Sequence, residues 1–184
     1  MQKTITIAFF QHMIIDTNFQ TPPSVCDYMV NLIPENSKTV FEPTPGLGNL
    51  VKALEKKNRY QIMTADDFFL FDTTQKFDCI VMNPPFSSKS AHMENAPQNS
   101  EVIGMKLGYY ILKQCMLMSN NIIALMPWYT ISDSDVRMRY LRDFGIKSLT
   151  PLPRKTFQYA RIQTVIIELQ KGYKGKTSFY THHF

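Results

Sequence analysis

Cysteine is scarce in this chain: 184 residues carry only Cys26, Cys79 and Cys115. An odd number of widely spaced thiols with no C-x-x-C pair argues against a disulfide framework and against a thiolate metal site. Buried free thiols, acting as small hydrophobes, are the expected state. The four histidines do not cluster, and His182 and His183 fall in an end segment expected to fray. No metal is therefore expected. No apolar run approaches the roughly 18 residues that span a bilayer. The N-terminus has one lysine before a short apolar run, lacks a small-residue cleavage site and soon reaches Asp16, so it does not read as a signal peptide. A cytoplasmic location is the expectation. Internal repeats and low-complexity tracts are missing too. Acidic residues run short in the C-terminal half. From Arg137 to Lys176 there are ten basic residues and only two acidic ones, Asp143 and Glu168, within a net charge of +5. Such an excess suits a polyanionic partner, although an ordinary solvated surface would account for charge alone.

What is present is globular. Apolar residues make up 44% and charged residues 19%, and the length fits one domain, 1–184, able to bury a real core. Strand-like runs alternate with helix-like stretches, which predicts an α/β fold with a mainly parallel sheet. A helix is predicted over 22–33, with Thr21 as its cap and Pro22 in its first turn. A short strand, Thr39–Glu42, leads into a glycine turn and an amphipathic helix over 48–58 with Leu50 and Leu54 inward. Gln61–Ala65 and Phe77–Met82 read as strands. Residues 87–100 read as a polar loop, and 101–118 as a helix with Ile103, Leu107, Tyr110, Ile111, Cys115 and Met118 at helical spacing. Asn121–Met126 is a buried strand. Residues 133–144 form a helix capped by Ser132 or Asp133 and ended by Gly145. Ile146–Leu152 and Gln163–Gln170 alternate like a hairpin-like pair of strands.

Two constellations carry chemistry. In FEPTPGLGNL, from Phe41 to Leu50, a strand runs through an acidic residue into two glycines and a helix. Gly46 and Gly48 let the backbone approach a ligand, and in a doubly wound sheet this turn lies where ligands bind. Glu42 sets a carboxylate beside a place for a cation. Pro43 and Pro45 suit an adenosine or amino-acid pocket better than a phosphate cradle. A tight strand–helix turn needs glycines anyway, so this unit alone is a weak signal.

The sharper signal is Asn83-Pro84-Pro85-Phe86, directly after the strand FDCIVM. Two prolines make a stiff turn without N–H donors. An in-plane amino group could donate one hydrogen to the Asn83 side-chain oxygen and one to the Pro84 carbonyl, raising electron density on the nitrogen. Phe86 offers a stacking face. A strand-ending turn with an aromatic anchor is the bland alternative. Two aromatic pairs stand nearby: Tyr109 and Tyr110 read as helix core, whereas Trp128 and Tyr129 follow Pro127 at a strand end, the rim where substrates bind.

E-P-x-x-G-x-G at 42–48 followed by N-P-P-F at 83–86 resembles the Rossmann-like amino-methyltransferases. The segment Phe19–Val30 resembles the motif that precedes the glycine loop in N6-adenine DNA methyltransferases of this motif order, and Leu152–Leu169 resembles their last catalytic-domain strands. The resemblance implies a Rossmann-like S-adenosylmethionine-dependent methyltransferase fold. It implies S-adenosylmethionine as cofactor, with Glu42, Thr44, Gly46, Gly48 and Asn49 lining its pocket. Thr21 and Pro22 would close over its methionine end, and Asp66 or Asp67, with Phe68, would sit at its adenine. Asn83, Pro84, Pro85 and Phe86 would hold a flipped base, since N6 is out of reach inside a stacked duplex.

Two departures from the family pattern stand out. Only about 18 residues separate the helix ending near Asn58 from the strand at Phe77, so the second βα unit is shortened and the acidic residue that normally binds ribose has no clear counterpart. Nothing is left over for a separate target-recognition domain. Sequence reading would then fall to loop 87–100, to the basic half, or to a specificity partner chain. RNA adenine or protein glutamine methylation, and a non-catalytic binding protein on an eroded fold, are the alternatives.

Overall fold

Apolar runs without polar alternation need cover on both faces, and the sheet of this protein receives it. The computed structural model describes residues 20–87, 95–98, 103, 106–157 and 162–181. Strands β1 (Thr39–Glu42), β3 (Cys79–Met82) and β4 (Asn121–Pro127) send alternate side chains into two cores. Val40, Cys79, Val81, Ile123 and Leu125 pack with helices α1 (Pro23–Asn31) and α2 (Asn49–Glu55). Phe41, Ile80, Met82, Ile122, Ala124 and Met126 pack on the other face with α3 (Leu107–Met118) and with Leu141 of α5 (Asp135–Phe144). The one-turn helix α4 (Tyr129–Ser132) joins β4 to α5.

The strand order is β2-β1-β3-β4-β6-β5-β7, with β2 (Gln61–Thr64), β5 (Ile146–Pro151), β6 (Thr164–Gln170) and β7 (Ser178–Phe179) completing seven strands. β2, β1, β3 and β4 run parallel, and β6 runs antiparallel to both β4 and β5. The chain leaves β1 toward β2 on one side and returns through β3 on the other. The carboxyl ends of β1 and β3 therefore flank the switch point, where an open α/β sheet binds ligands. Between α2 and β3 there is only β2 and a 3₁₀ turn at Phe68–Leu70. The second unit is shortened as expected, and β2 is an edge strand whose side chains are mostly exposed.

Several local expectations give way to tertiary contacts. Thr21 does not cap α1: Pro22 holds the cap position, no side chain caps the helix, and Pro23 takes the first helical place. The Thr21 hydroxyl is drawn instead to Asn83. The 101–118 helix begins at Leu107, and Ile103, expected inward, is 61% exposed. The cap of α5 is Ser134, whose oxygen accepts from the Arg137 amide at 3.3 Å, rather than Ser132 or Asp133. Phe77 lies outside β3 and makes a single parallel bridge with Ser119. Both α4 and β7 escaped the sequence reading because each is too short to show a period. Expectations for the segment before Gln20, for most of loop 87–100 and for His182 and His183 lie outside the described residues. Cys26, Cys79 and Cys115 are buried and free, and burial pushes the Cys26 thiol up to about 12 and the other two higher still.

Candidate active site

Glu42 ends β1 and is 1% exposed. Burial pushes its carboxyl up to about 8, against the pull of two hydrogen bonds from Thr44. The Thr44 amide donates to Glu42 Oε1 at 2.9 Å and its hydroxyl at 3.4 Å. A carboxyl placed this way is costly to ionise alone and readily ionised beside a cation. The turn that follows carries Gly46 at φ +52° and Gly48 at φ +78°, the left-handed region that side chains other than glycine rarely adopt. A Cβ on Gly48 would meet nothing within 4 Å, so open space lies over the start of α2. A Cβ on Gly46 would come within 3.2 Å of the Gln20 side chain, whose oxygen accepts from the Leu47 amide at 3.1 Å. Gln20 is a wall of this turn that the sequence reading missed.

Thr21 ties the turn to the second motif. Its carbonyl accepts from Asn49 Nδ2 at 3.1 Å, and its hydroxyl accepts from Asn83 Nδ2 at 2.9 Å. The nitrogen end of the Asn83 amide is thereby tied to Thr21. The Asn83 carbonyl also receives a longer contact, 3.5 Å, from the Thr44 hydroxyl. Thr21, Glu42, Thr44, Asn49 and Asn83 thus form one connected set, although 62 residues separate Thr21 from Asn83. Pro22 stands beside it as the cap of α1. Pro84 and Pro85 lead to Phe86, which lines a narrow cleft with Gly108, Tyr109, Met126, Pro127, Tyr129 and Thr130. Gly108 is the second residue missed. A Cβ there would stand 3.1 Å from the Pro85 carbonyl oxygen, so α3 approaches the turn closely only because this position is glycine. A lone glycine in the first turn of a helical pattern was the available signal.

The adenine-side candidates are arranged differently. Asp67 caps the 3₁₀ turn by accepting from the Phe69 amide at 2.8 Å, and its other oxygen accepts from Asn95 at 2.8 Å. Phe68 is buried in the core against Phe69, whereas Asp66 is exposed. Of the two acids, Asp66 keeps its carboxylate clear of that capping role. Among the described residues no group of three or more histidine, cysteine, aspartate or glutamate side chains could hold a metal ion, and no helix is long and apolar enough to cross a membrane.

No family model matches the sequence, and no curated protein matches it either. Its structure is similar to a type I restriction-modification system methyltransferase subunit from Streptococcus thermophilus, with TM-score 0.65 and 16% identity over 89% of this chain and 47% of that one. It is similar to a protein from Listeria monocytogenes described as a class I S-adenosylmethionine-dependent methyltransferase, with TM-score 0.64 and 15% identity over 91% of this chain and 67% of that one. A 23S rRNA methyltransferase shares the fold at TM-score 0.55 and 14% identity, over 83% of this chain and 69% of that one. The chain spans less than half the length of the type I subunits it matches. Strand order and these likenesses together give the fold: a Rossmann-like α/β sheet shared with structures described as S-adenosylmethionine-dependent methyltransferases.

Proposed function

We propose that the protein transfers a methyl group from S-adenosylmethionine to the exocyclic N6 amino group of adenine in DNA. The observation that carries this reading is the 2.9 Å hydrogen bond from Asn83 Nδ2 to the Thr21 hydroxyl. It orients the Asn83 amide beside the glycine turn, so that its oxygen and the Pro84 carbonyl can accept the two hydrogens of one planar amino group. Two acceptors and no turn N–H leave the nitrogen electron-rich, and this stabilisation grows as the nitrogen begins to bond. Phe86 supplies a face for the base.

The cofactor fits the residues present. Gly48 opens the space beside α2, Gly46 lets the turn pack against Gln20 at its edge, Thr44 and Asn49 border it, Thr21 and Pro22 close one end, and buried Glu42 would be relieved by a cationic ligand. Asp66, whose carboxylate is exposed, would serve the far end, with Asp67 and Phe68 shaping the 3₁₀ turn beside it. Bound S-adenosylmethionine supplies an electrophilic methyl group. The described residues act as one catalytic domain, and base-specific reading would come from a partner chain, in keeping with the description of similar structures as subunits.

The experiment is transfer of labelled methyl groups to duplex DNA, single-stranded DNA, structured RNA and a protein extract, followed by chemical identification of the product. N6-methyladenine in DNA is expected. Label only on RNA or on glutamine overturns the DNA assignment. Asn83→Ala should lose on the order of 10² to 10³ in rate with cofactor affinity retained; a loss of only a few-fold would make the turn structural.

A further inference from the structure

The Phe86 cleft has a charged rim that the methyl-transfer reading does not use. Arg137 lies in the first turn of α5 and is half-buried. Its guanidinium carbon stands 5.8 Å from the ring centre of Tyr109 and 5.9 Å from that of Tyr129. Three elements, α3, α4 and α5, converge to make this arrangement, and both tyrosines also line the cleft beside Phe86. Both distances fall within the range of cation–π attraction. Burial raises both phenols to about 12, so neither ring supplies an anion at neutral pH.

Ring faces orient a guanidinium but leave its N–H edge unspent, and a guanidinium carries five donors in a flat fork. Among the described residues the ion pairs are Lys56–Asp27, Arg142–Asp143 and Lys147–Glu168, and none engages Arg137. A guanidinium that no carboxylate pairs keeps its charge and its N–H fork for an anionic ligand. The same cleft holds a second unmet group: Thr130 is 1% exposed and its hydroxyl has no hydrogen-bond partner. The unmet Thr130 hydroxyl and the N–H edge of Arg137 thus stand on the same aromatic rim. Arg139 and Arg142 continue along α5, and the net charge is +5.

We propose that Arg137, set over the rings of Tyr109 and Tyr129, binds a phosphodiester group of the strand that carries the target nucleotide. The fork matches two phosphate oxygens, and its position at the rim places the backbone while Phe86 receives the base. Contacts of this kind position a strand without reading its sequence. The proposal rests on the nucleic-acid reading of the NPPF turn, and its test separates the two.

The test measures binding of a fluorescent single-stranded DNA oligonucleotide, and of the matching RNA, across a salt series in the presence of S-adenosylhomocysteine. Arg137→Gln should weaken DNA binding on the order of tenfold, equally for different sequences, and reduce the salt slope by about one. Arg137→Lys should keep the slope and recover part of the affinity. Arg142→Gln, which removes an exposed side chain paired with Asp143, serves as the control and should move affinity less. Cofactor affinity and melting temperature should hold in all three. If the parent binds DNA and Arg137→Gln leaves slope and affinity unchanged, the clamp is overturned and the methyltransferase reading stands. If the parent binds neither oligonucleotide and labels protein instead, the nucleic-acid reading falls and takes the clamp with it. Equal losses on RNA and DNA keep the clamp and leave the sugar to be decided by product identification.

Discussion

Glu42 is a carboxyl group that the folded chain withdraws from water, and its consequence is a pH dependence of unusual sign. Its folded-state value rises from the ordinary 4.5 to about 8 because burial penalises the anion. Between those limits the folded protein holds a proton that the unfolded chain has released. Stability from this group is therefore full below pH 4.5 and declines as pH rises toward 8. Melting temperatures of the ligand-free protein should fall across that window, and Glu42→Gln should flatten the decline. A cation bound beside Glu42 reverses the preference. Affinity for S-adenosylmethionine should accordingly rise with pH up to about 8, with proton release measurable in buffers of different ionisation enthalpy. A flat profile in the parent would remove Glu42 from the pocket. Thr21 shows the limit of reading residues singly. Its side chain suits a helix cap, yet Asn83 lies 2.9 Å away and takes the hydroxyl. No local pattern announces a partner 62 positions distant.

At the scale of elements, α3 is placed by what it lacks. Leu107, Ile111, Leu112, Cys115 and Met118 commit its inner face to the core, while Gly108 lets its first turn meet the Pro85 carbonyl. Gly108→Ala sets two effects against each other. Helix propensity favours alanine by about 1 kcal/mol, but the new Cβ would sit 3.1 Å from that oxygen. The neighbour is backbone inside a stiff double-proline turn, so the turn must shift by a few tenths of an ångström. Stability should stay level or rise, and methyl transfer should fall by about tenfold or more, since small misplacements at a reacting centre are expensive. Denaturant melts and single-turnover rates on the same sample check this; an unchanged rate would show that the turn has slack. The strands were legible because CIVM and IIALM leave no alternative to burial on both faces. α5 was legible in type but not in start, because Ser132, Asp133 and Ser134 are all competent caps and only the closing turn of α4 selects Ser134.

At the scale of the whole molecule, the shortened second unit leaves β2 at the sheet edge with most of its side chains exposed. Ligand binding should then stabilise the entire fold by mass action. Excess S-adenosylhomocysteine at about a hundredfold over its dissociation constant adds roughly 2.7 kcal/mol, about 5–10 °C in melting temperature for a domain of this size. Gly48→Ala probes the pocket more directly than any change at Gly46. The space above Gly48 is empty of protein, whereas Gly46 already touches Gln20. A methyl group on Gly48 should cost about 1–2 kcal/mol in backbone strain and abolish most of the ligand-induced shift. A full shift in Gly48→Ala would move the cofactor elsewhere.

Composition and order of motifs determined a great deal without any coordinates: a mainly parallel α/β sheet, a glycine turn after β1, a proline turn after β3, buried thiols, and a shortened second βα unit. These follow from covalent facts, since periodicity, backbone stiffness and chain length are properties of adjacent residues. Only the tertiary structure decided what sits across from what. Thr21 bonds Asn83, Gln20 covers Gly46, Gly108 admits Pro85, and Arg137 is set over Tyr109 and Tyr129. Each of those pairings joins residues from different elements, and the sheet brings them together by packing, which no stretch of sequence records by itself.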